Sequence, residues 1–350
     1  GSKSWTLTAP LRLAAGKLRH WILQARVARV TVRQYLVLAF HIWRSSGTRA
    51  LVARIKRKLK NMRRSAGPVE ALPQSSLETS FHPLTLAPAE APLVSIIIPV
   101  HNKHLYTFTC LKSIVADSFA QGIEVIVVND HSEDETDEML ALISGVRVVR
   151  NSGERGFVAS CNLGAANAAG EYLVFLNNDT IVQSGWLANL LAVFQHFPSA
   201  GLVGARLVYP DGRLQEAGGI VWRDGSAWND GRGDSADKPE YSYVREVDYC
   251  SAACVAIPRQ LFEDIGRFSE EFSPAYYEDV DLAFKVRAAG KRVYYQPATK
   301  IVHFEGASLG TSTLSGLKGF QVLHRQKLHE KWKRQLITHR INGSAPHLER

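Results

Sequence analysis

The chain has 350 residues, of which 45% are hydrophobic and 21% charged, so it is long enough to bury one large α/β core with appendages, and a chain disordered throughout is excluded. The net charge of +9 is unevenly distributed, because residues 1–92 hold 16 of the 42 Lys and Arg residues but only 3 of the 33 Asp and Glu residues. The four cysteines form no CxxC pair, and Cys250 and Cys254 lack the His partners of a zinc site. We therefore expect reduced thiols in a cytoplasmic protein.

The start of the sequence shows no recognisable signal peptide. The leading Gly1-Ser2 is typical of an expression remnant, so the sequence fits a fragment of a longer protein.

Residues 1–64 are predicted to form a basic amphipathic helical segment, because apolar residues recur at helical spacing with Arg and Lys interleaved. The longest uncharged run, Gln34 to Trp43, has ten residues, whereas a bilayer-spanning helix needs about 20 apolar ones. Two interpretations stay open with equal weight: peripheral contact with the inner face of the cytoplasmic membrane, and a helix that packs within a longer chain. Nucleic acid is not expected as a partner, because residues 93–350 are slightly acidic and carry no basic stripe.

Residues 65–92 are predicted to be a linker, because five prolines lie there among Ser, Ala and Thr. We expect the main domain to occupy residues 93–310. A basic amphipathic helix is expected to close the chain within residues 311–350.

The first predicted strand is the continuous apolar run from Leu93 to Val100, which is typical of a strand covered on both faces. A predicted helix over 104–117 leads to a second buried strand, Ile123 to Val128, and both strands end in polar residues. Strand, helix and strand with short connections predict a parallel sheet.

The pattern continues with a predicted helix over 134–144, a strand over 146–149, a polar loop over 150–156 and a helix over 157–169. Because ligands bind at the carboxyl ends of such strands, the residues that follow the strands are expected to converge. These residues are His101, Asn102, Asp130, Arg155, Gly156 and Asp179. Their convergence favours a nucleotide site, in which Asp130 would bind the base or ribose and Arg155 would meet the diphosphate.

The buried strand that ends at Leu176 is followed directly by Asn177, Asn178 and Asp179. Asp179 is a candidate ligand for Mg²⁺ or Mn²⁺, which take oxygen ligands from carboxylates and substrate phosphates, and Asn177 would assist through its amide oxygen or a water. A purely structural role as a turn and helix cap is the alternative for this segment, and a role as a helix cap is also the alternative for Asp130.

Residues 209–240 are rich in Gly, Asp and Trp, and this composition predicts a loop or hairpins after a helix over 184–197 and a strand over 201–205. Aromatic rings in and near this region would offer flat faces to a sugar, namely Trp186, Trp222 and Trp228. Packing in the core or in a hairpin is the more common role of a single Trp.

Three carboxylates, Glu278, Asp279 and Asp281, stand at the start of a predicted helix. Their interaction with the helix dipole is one explanation. The functional alternative is that one of them abstracts a proton from a hydroxyl. His303 ends another predicted strand, where it would complete a metal site with Asp179 or serve as a hydrogen-bonded structural residue.

Taken in this order, the motifs resemble the family 2 inverting glycosyltransferases of the nucleotide-diphospho-sugar transferase (GT-A) fold, over residues 93 to about 310. The motifs are residues 94–102, 127–134, 151–157 with Asn162, 170–179, 277–281 and His303. The resemblance implies an α/β fold with a Rossmann-like, mostly parallel sheet flanked by helices. It also implies an enzyme that transfers a hexose from a nucleotide-diphosphate donor, with Mn²⁺ or Mg²⁺ as cofactor.

The resemblance implies roles for individual residues as well. Asp279, with Glu278 beside it, would be the general base, and residues 177–179 would occupy the family's Asp-x-Asp metal position. Because Asn177 replaces the first Asp, Asp179 and His303 would carry the metal, and we expect a modest affinity. The other implied residues are Pro99, His101, Asn102, Asp130, Arg155, Gly156, Asn162 and Asn178 for the nucleotide, and Trp222, Tyr277 and Asp281 for the acceptor or sugar.

Residues 212–219 and 251–254 look like those of bacterial rhamnosyl- and galactofuranosyl-type enzymes that build surface polysaccharide. This likeness predicts dTDP-rhamnose or a UDP-sugar as donor, and a glycan or lipid-linked glycan as acceptor, in O-antigen or capsule synthesis.

Two alternative functions belong to other classes of protein. A nucleotidyltransferase would need a Gly-rich phosphate loop, which residues 100–103 do not form. A non-catalytic module that binds nucleotide-sugar or glycan would lack transfer, and the intact Glu278-Asp279 pair argues against it.

Overall fold

The computed structural model describes residues 77–87, 89–117, 119, 122–305 and 320–342. The chain divides into two units. The first comprises residues 1–67 and 310–324, of which the structure describes 320–324, and the second comprises residues 68–309 and 325–350. The basic segment predicted over residues 1–64, and the membrane contact proposed for it, lie outside the described residues.

The secondary structure alternates between strands and helices in the first half of the second unit, as the sequence predicts. The strands are β1 (Leu84–Thr85), β2 (Val94–Val100), β3 (Ile123–Asn129), β4 (Ile143–Ser144), β5 (Val146–Arg150), β6 (Tyr172–Leu176), β7 (Thr180–Val182), β8 (Ala200–Val208), β9 (Leu214–Glu216), β10 (Gly219–Val221), β11 (Ala227–Asn229), β12 (Arg245–Glu246), β13 (Cys254–Pro258) and β14 (Arg292–His303). The helices are α1 (His104–Ala116), α2 (Thr136–Ala141), α3 (Phe157–Ala166), α4 (Trp186–His196), α5 (Arg259–Asp264), α6 (Glu278–Ala288), α7 (Phe320–Lys331) and α8 (Lys333–Leu336).

One large sheet carries the fold, with strand order β12-β14-β8-β13-β6-β2-β3-β5. Strands β6, β2, β3 and β5 run parallel, which confirms the α/β prediction for this half. Strand β13 runs antiparallel between β6 and β8, so the sheet as a whole is mixed. The short strands β7 and β9 pair with β14 and β8 off the main path.

Successive side chains of a strand point to opposite faces of the sheet, so the apolar strands contribute to a hydrophobic core on each face. In β2, Ile97 packs into one hydrophobic cluster with residues of α3 and α6, whereas Ile96 and Ile98 pack into another with residues of α1 and α4. Both faces are therefore covered, as the continuous apolar run of β2 predicts.

The predicted linker contains a structured part. Strand β1 pairs in parallel with β4, and Leu86 beside it is buried. The pairing also explains why α2 is shorter than the predicted helix over 134–144, because residues 143 and 144 form a strand instead. Among the described residues, no helix has the length and apolar character that crossing a bilayer would require.

Candidate active site

The first part of the site lies where the parallel strands β2 and β3 end. The register pairs Val100 with Asn129, so the residues that follow them are neighbours. His101 Nδ1 lies 2.7 Å from the carbonyl oxygen of Asp130, and the backbone N–H of Asn102 donates to Ser132 Oγ at 2.8 Å. The structure thus brings together the two polar strand ends that the sequence predicts to converge.

Asp130 anchors the loop of residues 151–156 to this edge. Its Oδ2 accepts the backbone N–H of Gly156 at 2.8 Å, and its Oδ1 accepts Asn151 Nδ2 at 2.8 Å. The carboxyl group is buried. Since each carboxylate oxygen has two acceptor positions, the group keeps capacity for a further donor such as a base N–H.

Gly156 sits at a point where the loop passes close to another segment. Its φ is 133°, and a Cβ there would come within 2.6 Å of Pro274. Only glycine fits this backbone conformation and this approach. Arg155 extends to the surface, where its Nη2 lies 3.6 Å from Glu133 and its side chain is 59% exposed. Pro99 is half-buried in β2.

Two of the predicted nucleotide-binding residues have structural roles. Asn162 donates from Nδ2 to the carbonyl of Phe268 at 2.9 Å and accepts the Phe268 N–H at 3.1 Å. Asn178 is buried, and its Nδ2 donates to Thr107 Oγ1 on α1 at 2.9 Å. These contacts give both amide groups a structural role, and their contact with the nucleotide stays a prediction.

The predicted metal ligands come together at the ends of β6 and β14. His303 pairs with Thr180 in the sheet register. Its Nε2 lies 3.2 Å from Asp179 Oδ1 and 3.4 Å from Asn177 Nδ2. Asn177 Oδ1 is buried and has no hydrogen-bond partner.

This arrangement fits a divalent cation. A carboxylate, an imidazole nitrogen and an amide are donors that Mn²⁺ accepts, and a half-turn of the Asn177 amide places its unpartnered oxygen beside the other two atoms. Within residues 77–305 and 320–342, as far as they are described, no group of three or more His, Cys, Asp and Glu side chains could hold a metal. The protein would thus supply few ligands, and water and substrate phosphate would supply the rest.

The second part of the site is the start of helix α6. Tyr276 and Tyr277 both have positive φ, 74° and 73°, and the helix begins directly after them. Two consecutive non-glycine residues in this region indicate strain that the surrounding structure must hold. The turn places Glu278 and Asp279 at the start of the helix, where Glu278 is buried and Asp279 is half-buried.

The two carboxyl groups differ in their hydrogen bonds. Burial raises the pKa of Asp279 to about 6, and backbone N–H groups of Val280 and Ala252 limit the rise. Burial, followed by the charge of Asp279, raises the pKa of Glu278 well above its usual range, and its Oε2 has no hydrogen-bond partner. Asp279 is therefore the group that holds a negative charge near neutral pH.

Tyr276 links the two parts of the site. Burial raises the pKa of its phenol, and the negative charges of Glu278, Glu305, Asp179 and Asp279 raise it further. Tyr276 therefore lies near the metal candidate Asp179 as well as the base candidates Glu278 and Asp279.

Sequence reasoning missed Gln215 and Glu305. Gln215 Oε1 lies 3.0 Å from His303 Nδ1, and its Nε2 donates to Glu305 Oε2 at 3.0 Å. Glu305 Oε2 also accepts Tyr209 Oη at 3.0 Å and Arg232 Nη2 at 2.5 Å. The position of Glu305, two residues beyond the end of β14 at His303, was the signal that could have identified it, because ligands bind beyond the carboxyl ends of such strands.

Two of the aromatic residues that were predicted to face a sugar are enclosed instead. Trp222 and Trp186 are each 1% exposed, so neither offers a face to a ligand. Trp228 is 46% exposed and packs edge-on against Trp222. Tyr277 is half-buried and precedes the first residue of α6.

Asp281 is also corrected, from an acceptor-binding residue to a structural one. It is fully buried. Its Oδ2 accepts Ser269 Oγ at 2.6 Å, and its Oδ1 accepts Trp332 Nε1 at 2.7 Å and lies 2.8 Å from Lys331 Nζ. Its role is to connect the end of α7 and the residue that follows it to helix α6.

Comparison with known proteins gives a consistent family assignment for the central part of the chain. Residues 95–266 match the model of Glycosyl transferase family 2. The chain is 33% identical to protein y4gI of Sinorhizobium fredii over 63% of this chain and 25% of that protein. It is 33% identical to the O-antigen biosynthesis protein RfbC of Myxococcus xanthus over 62% of this chain and 18% of that protein. The chain thus spans a quarter or less of these relatives.

Among solved structures, the chain is similar to GalNAc-T7, crystallised with UDP, GalNAc and Mn²⁺. The TM-score is 0.55 at 15% identity, covering 70% of this chain and 49% of that one. At this identity the similarity establishes the fold.

Proposed function

We propose that this chain, which carries a glycosyl transferase family 2 domain over residues 95–266, transfers a sugar from a nucleoside-diphosphate donor to a hydroxyl of a glycan acceptor with inversion. The observation that carries the proposal is the half-buried carboxylate of Asp279 at the start of α6, which lies near the same Tyr276 side chain as the metal candidate Asp179. A base and a cation site close to one another are what displacement of a diphosphate by a hydroxyl requires.

In this reaction Asp279 takes the proton of the acceptor hydroxyl as its oxygen attacks the anomeric carbon. The bond from that carbon to the diphosphate oxygen breaks, and the nucleoside diphosphate leaves with the electron pair. Because attack and departure occur on opposite faces, the configuration inverts. Burial and the charge of Asp279 raise the pKa of Glu278, which favours its neutral form beside the base.

Asp179 and His303, with Asn177, would hold the divalent metal. A bound Mn²⁺ or Mg²⁺ supplies positive charge against the leaving diphosphate. Asp179 would hold it through its carboxylate and His303 through Nε2, which lie 3.2 Å apart. Arg155, exposed at the edge of the same region, is the candidate side chain for the distal part of the diphosphate.

The nucleotide would lie along the ends of β2 and β3. Asp130 is the candidate acceptor for a base N–H, since its carboxyl group is fixed by Gly156 and Asn151 and retains acceptor capacity. His101 and Asn102 line the same edge. The similarity to the O-antigen biosynthesis protein supports a glycan or lipid-linked glycan of a bacterial surface polysaccharide as acceptor. The proposed donor is dTDP-rhamnose or a UDP-sugar, on the likeness of residues 212–219 and 251–254 to rhamnosyl- and galactofuranosyl-type enzymes.

The test is a thermal-shift and hydrolysis panel of UDP- and dTDP-linked sugars, each with Mn²⁺, Mg²⁺ or chelator. A ligand at about 100 times its Kd stabilises the folded state by about 2.7 kcal/mol, so donor binding registers even without an acceptor. A metal-dependent shift with one donor, and release of its sugar, would support the proposal. A shift without any hydrolysis or transfer would favour a binding module, and no shift with any donor would contradict the proposal.

A further inference from the structure

A chain of hydrogen bonds runs from the surface to the candidate metal site. Arg232 and Tyr209 donate to Glu305 Oε2, Gln215 Nε2 donates to the same oxygen at 3.0 Å, and Gln215 Oε1 faces His303 Nδ1 at 3.0 Å. His303 Nε2 then faces Asp179 Oδ1 at 3.2 Å.

Gln215 reaches this position because of an irregularity in the sheet. Strand β9 pairs Glu216 with Leu207 and Leu214 with Val208, so Gln215 has no partner of its own on β8. An extra residue of this kind is a β-bulge, which redirects a side chain and is common beside active sites. The redirected Gln215 is 2% exposed and sits between two polar side chains.

The direction of each hydrogen bond follows from the chemistry of the groups. Glu305 as a carboxylate only accepts, so Gln215 must turn its NH₂ group towards Glu305 and its carbonyl oxygen towards His303. A carbonyl oxygen only accepts, so His303 must carry a hydrogen on Nδ1. In the neutral imidazole the other nitrogen, Nε2, is then bare. Its lone pair faces the Asp179 carboxylate, and a cation between them removes the repulsion of the two acceptors.

We propose that Gln215 and Glu305 are positioning residues that fix the tautomer and ring orientation of His303 so that Nε2 is a metal ligand. This inference rests on the metal-dependent transfer proposed above. Partners of this type around metal-binding histidines change metal affinity by about 10- to 100-fold when they are removed. Gln215 touches neither substrate nor metal and acts through His303.

The test uses two Gln215 variants and a matched control. Gln215→Leu removes both hydrogen bonds, and Gln215→Asn keeps an amide that is one methylene too short to bridge His303 and Glu305. The control is Gln296→Leu, because Gln296 is also buried and bonded at both ends of its amide, to Asn189 and Ala298, between β14 and α4. Mn²⁺ affinity is measured by electron paramagnetic resonance with UDP present.

We expect Mn²⁺ affinity to fall about 10- to 100-fold in both Gln215 variants and to stay at the wild-type value in Gln296→Leu. Wild-type Mn²⁺ affinity in folded Gln215→Asn and Gln215→Leu would overturn the inference. If wild type and Gln296→Leu both fail to bind Mn²⁺, the metal part of the proposed function fails instead.

A second readout needs no metal. ¹⁵N NMR of histidine-labelled, metal-free protein distinguishes a bare ring nitrogen from a protonated one, and the resonances lost in His303→Ala identify this residue. We expect a hydrogen on Nδ1 in the wild type, and a mixture of protonated and bare Nδ1 in Gln215→Asn. A bare Nδ1 in wild-type His303, or unchanged resonances in Gln215→Asn, would overturn the inference whatever the outcome of the Mn²⁺ experiment.

Discussion

Glu216 and Asp279 are held by neighbouring peptide groups of one loop. The backbone N–H of Ser251 donates to Glu216 Oε1 at 2.8 Å, and the N–H of Ala252 donates to Asp279. Asp279 receives a second donor from Val280, whereas Glu216 Oε2 has no hydrogen-bond partner. The two carboxyl groups are therefore stabilised unequally in their charged forms, and they titrate in different ranges of pH.

The first prediction concerns stability and Glu216. Burial raises the pKa of Glu216 to about 8, and the nearby charge of Asp279 also raises it. The folded state then holds a proton that the unfolded state releases near pH 4.3, so stability falls as pH rises between about 4.3 and 8 and levels off above. Glu216→Gln removes this decline. We expect the melting temperature of the variant, relative to wild type, to increase through that window.

The control for Glu216→Gln is Glu138→Gln, at an exposed position of α2. Melting curves at half-unit steps of pH give the comparison. A difference between Glu216→Gln and wild type that stays constant from about pH 5 to pH 8 would show that Glu216 is ionised throughout.

The second prediction concerns the pH dependence of transfer. Burial raises the pKa of Asp279 to about 6. A general base acts in its deprotonated form, so kcat/KM should be full above this pKa and should fall tenfold per unit below it. Asp279→Asn should lower turnover by about 10²–10⁴-fold while the donor-induced thermal shift stays near that of wild type. A flat profile down to about pH 5, or an active Asp279→Asn variant, would remove Asp279 from this role.

The third prediction compares two glycines. Gly156→Ala places a Cβ within 2.6 Å of Pro274 at a φ of 133°, whereas Gly266→Ala, at a φ of 78°, meets nothing within 4 Å. Both substitutions introduce backbone strain that costs about 1–3 kcal/mol. Only Gly156→Ala must also displace the segment that leads to Tyr276. Urea unfolding should therefore show a clearly larger decrease in the free energy of unfolding for Gly156→Ala. Equal decreases in the two variants would mean that Pro274 moves aside at little cost.

Several site residues could be predicted because they follow directly from the ends of strands. Asp130, Asp179 and His303 each stand at or just beyond a buried strand, and hydrophobic pattern alone identifies such places. The roles of Gln215 and Glu216 could not be predicted in the same way. A bulge leaves no mark in the pattern of apolar residues, and His303 lies 88 residues from Gln215 in the chain.

The sequence also does not predict which large or charged side chains are buried. Trp222 and Trp228 occur in the same irregular stretch, yet one is enclosed and the other is 46% exposed. Likewise Asp281 resembles its neighbour Asp279 in sequence, but its carboxylate is neutralised by residues near the end of the chain. These distinctions depend on which distant segment covers the side chain, and local composition does not contain that information.

The last prediction tests the connection between Trp332 and Asp281. Trp332 Nε1 donates to Asp281 Oδ1 at 2.7 Å, and the indole packs against Phe284 with ring centroids 5.2 Å apart. Trp332→Phe keeps one aromatic ring for this packing, and it removes the N–H donor together with part of the indole. Because Asp281 is fully buried, the loss of one donor to its charge should cost about 1–3 kcal/mol in the free energy of unfolding.

The matched control is Trp228→Phe, since Trp228 is 46% exposed and a surface substitution of this kind typically changes stability by less than about 0.5 kcal/mol. Urea denaturation of both variants measures the difference. Because Asp281 is two residues beyond Asp279 on α6, Trp332→Phe should also lower turnover while Trp228→Phe does not. Equal stability of the two variants would show that Ser269 and Lys331 satisfy the Asp281 carboxylate without the indole.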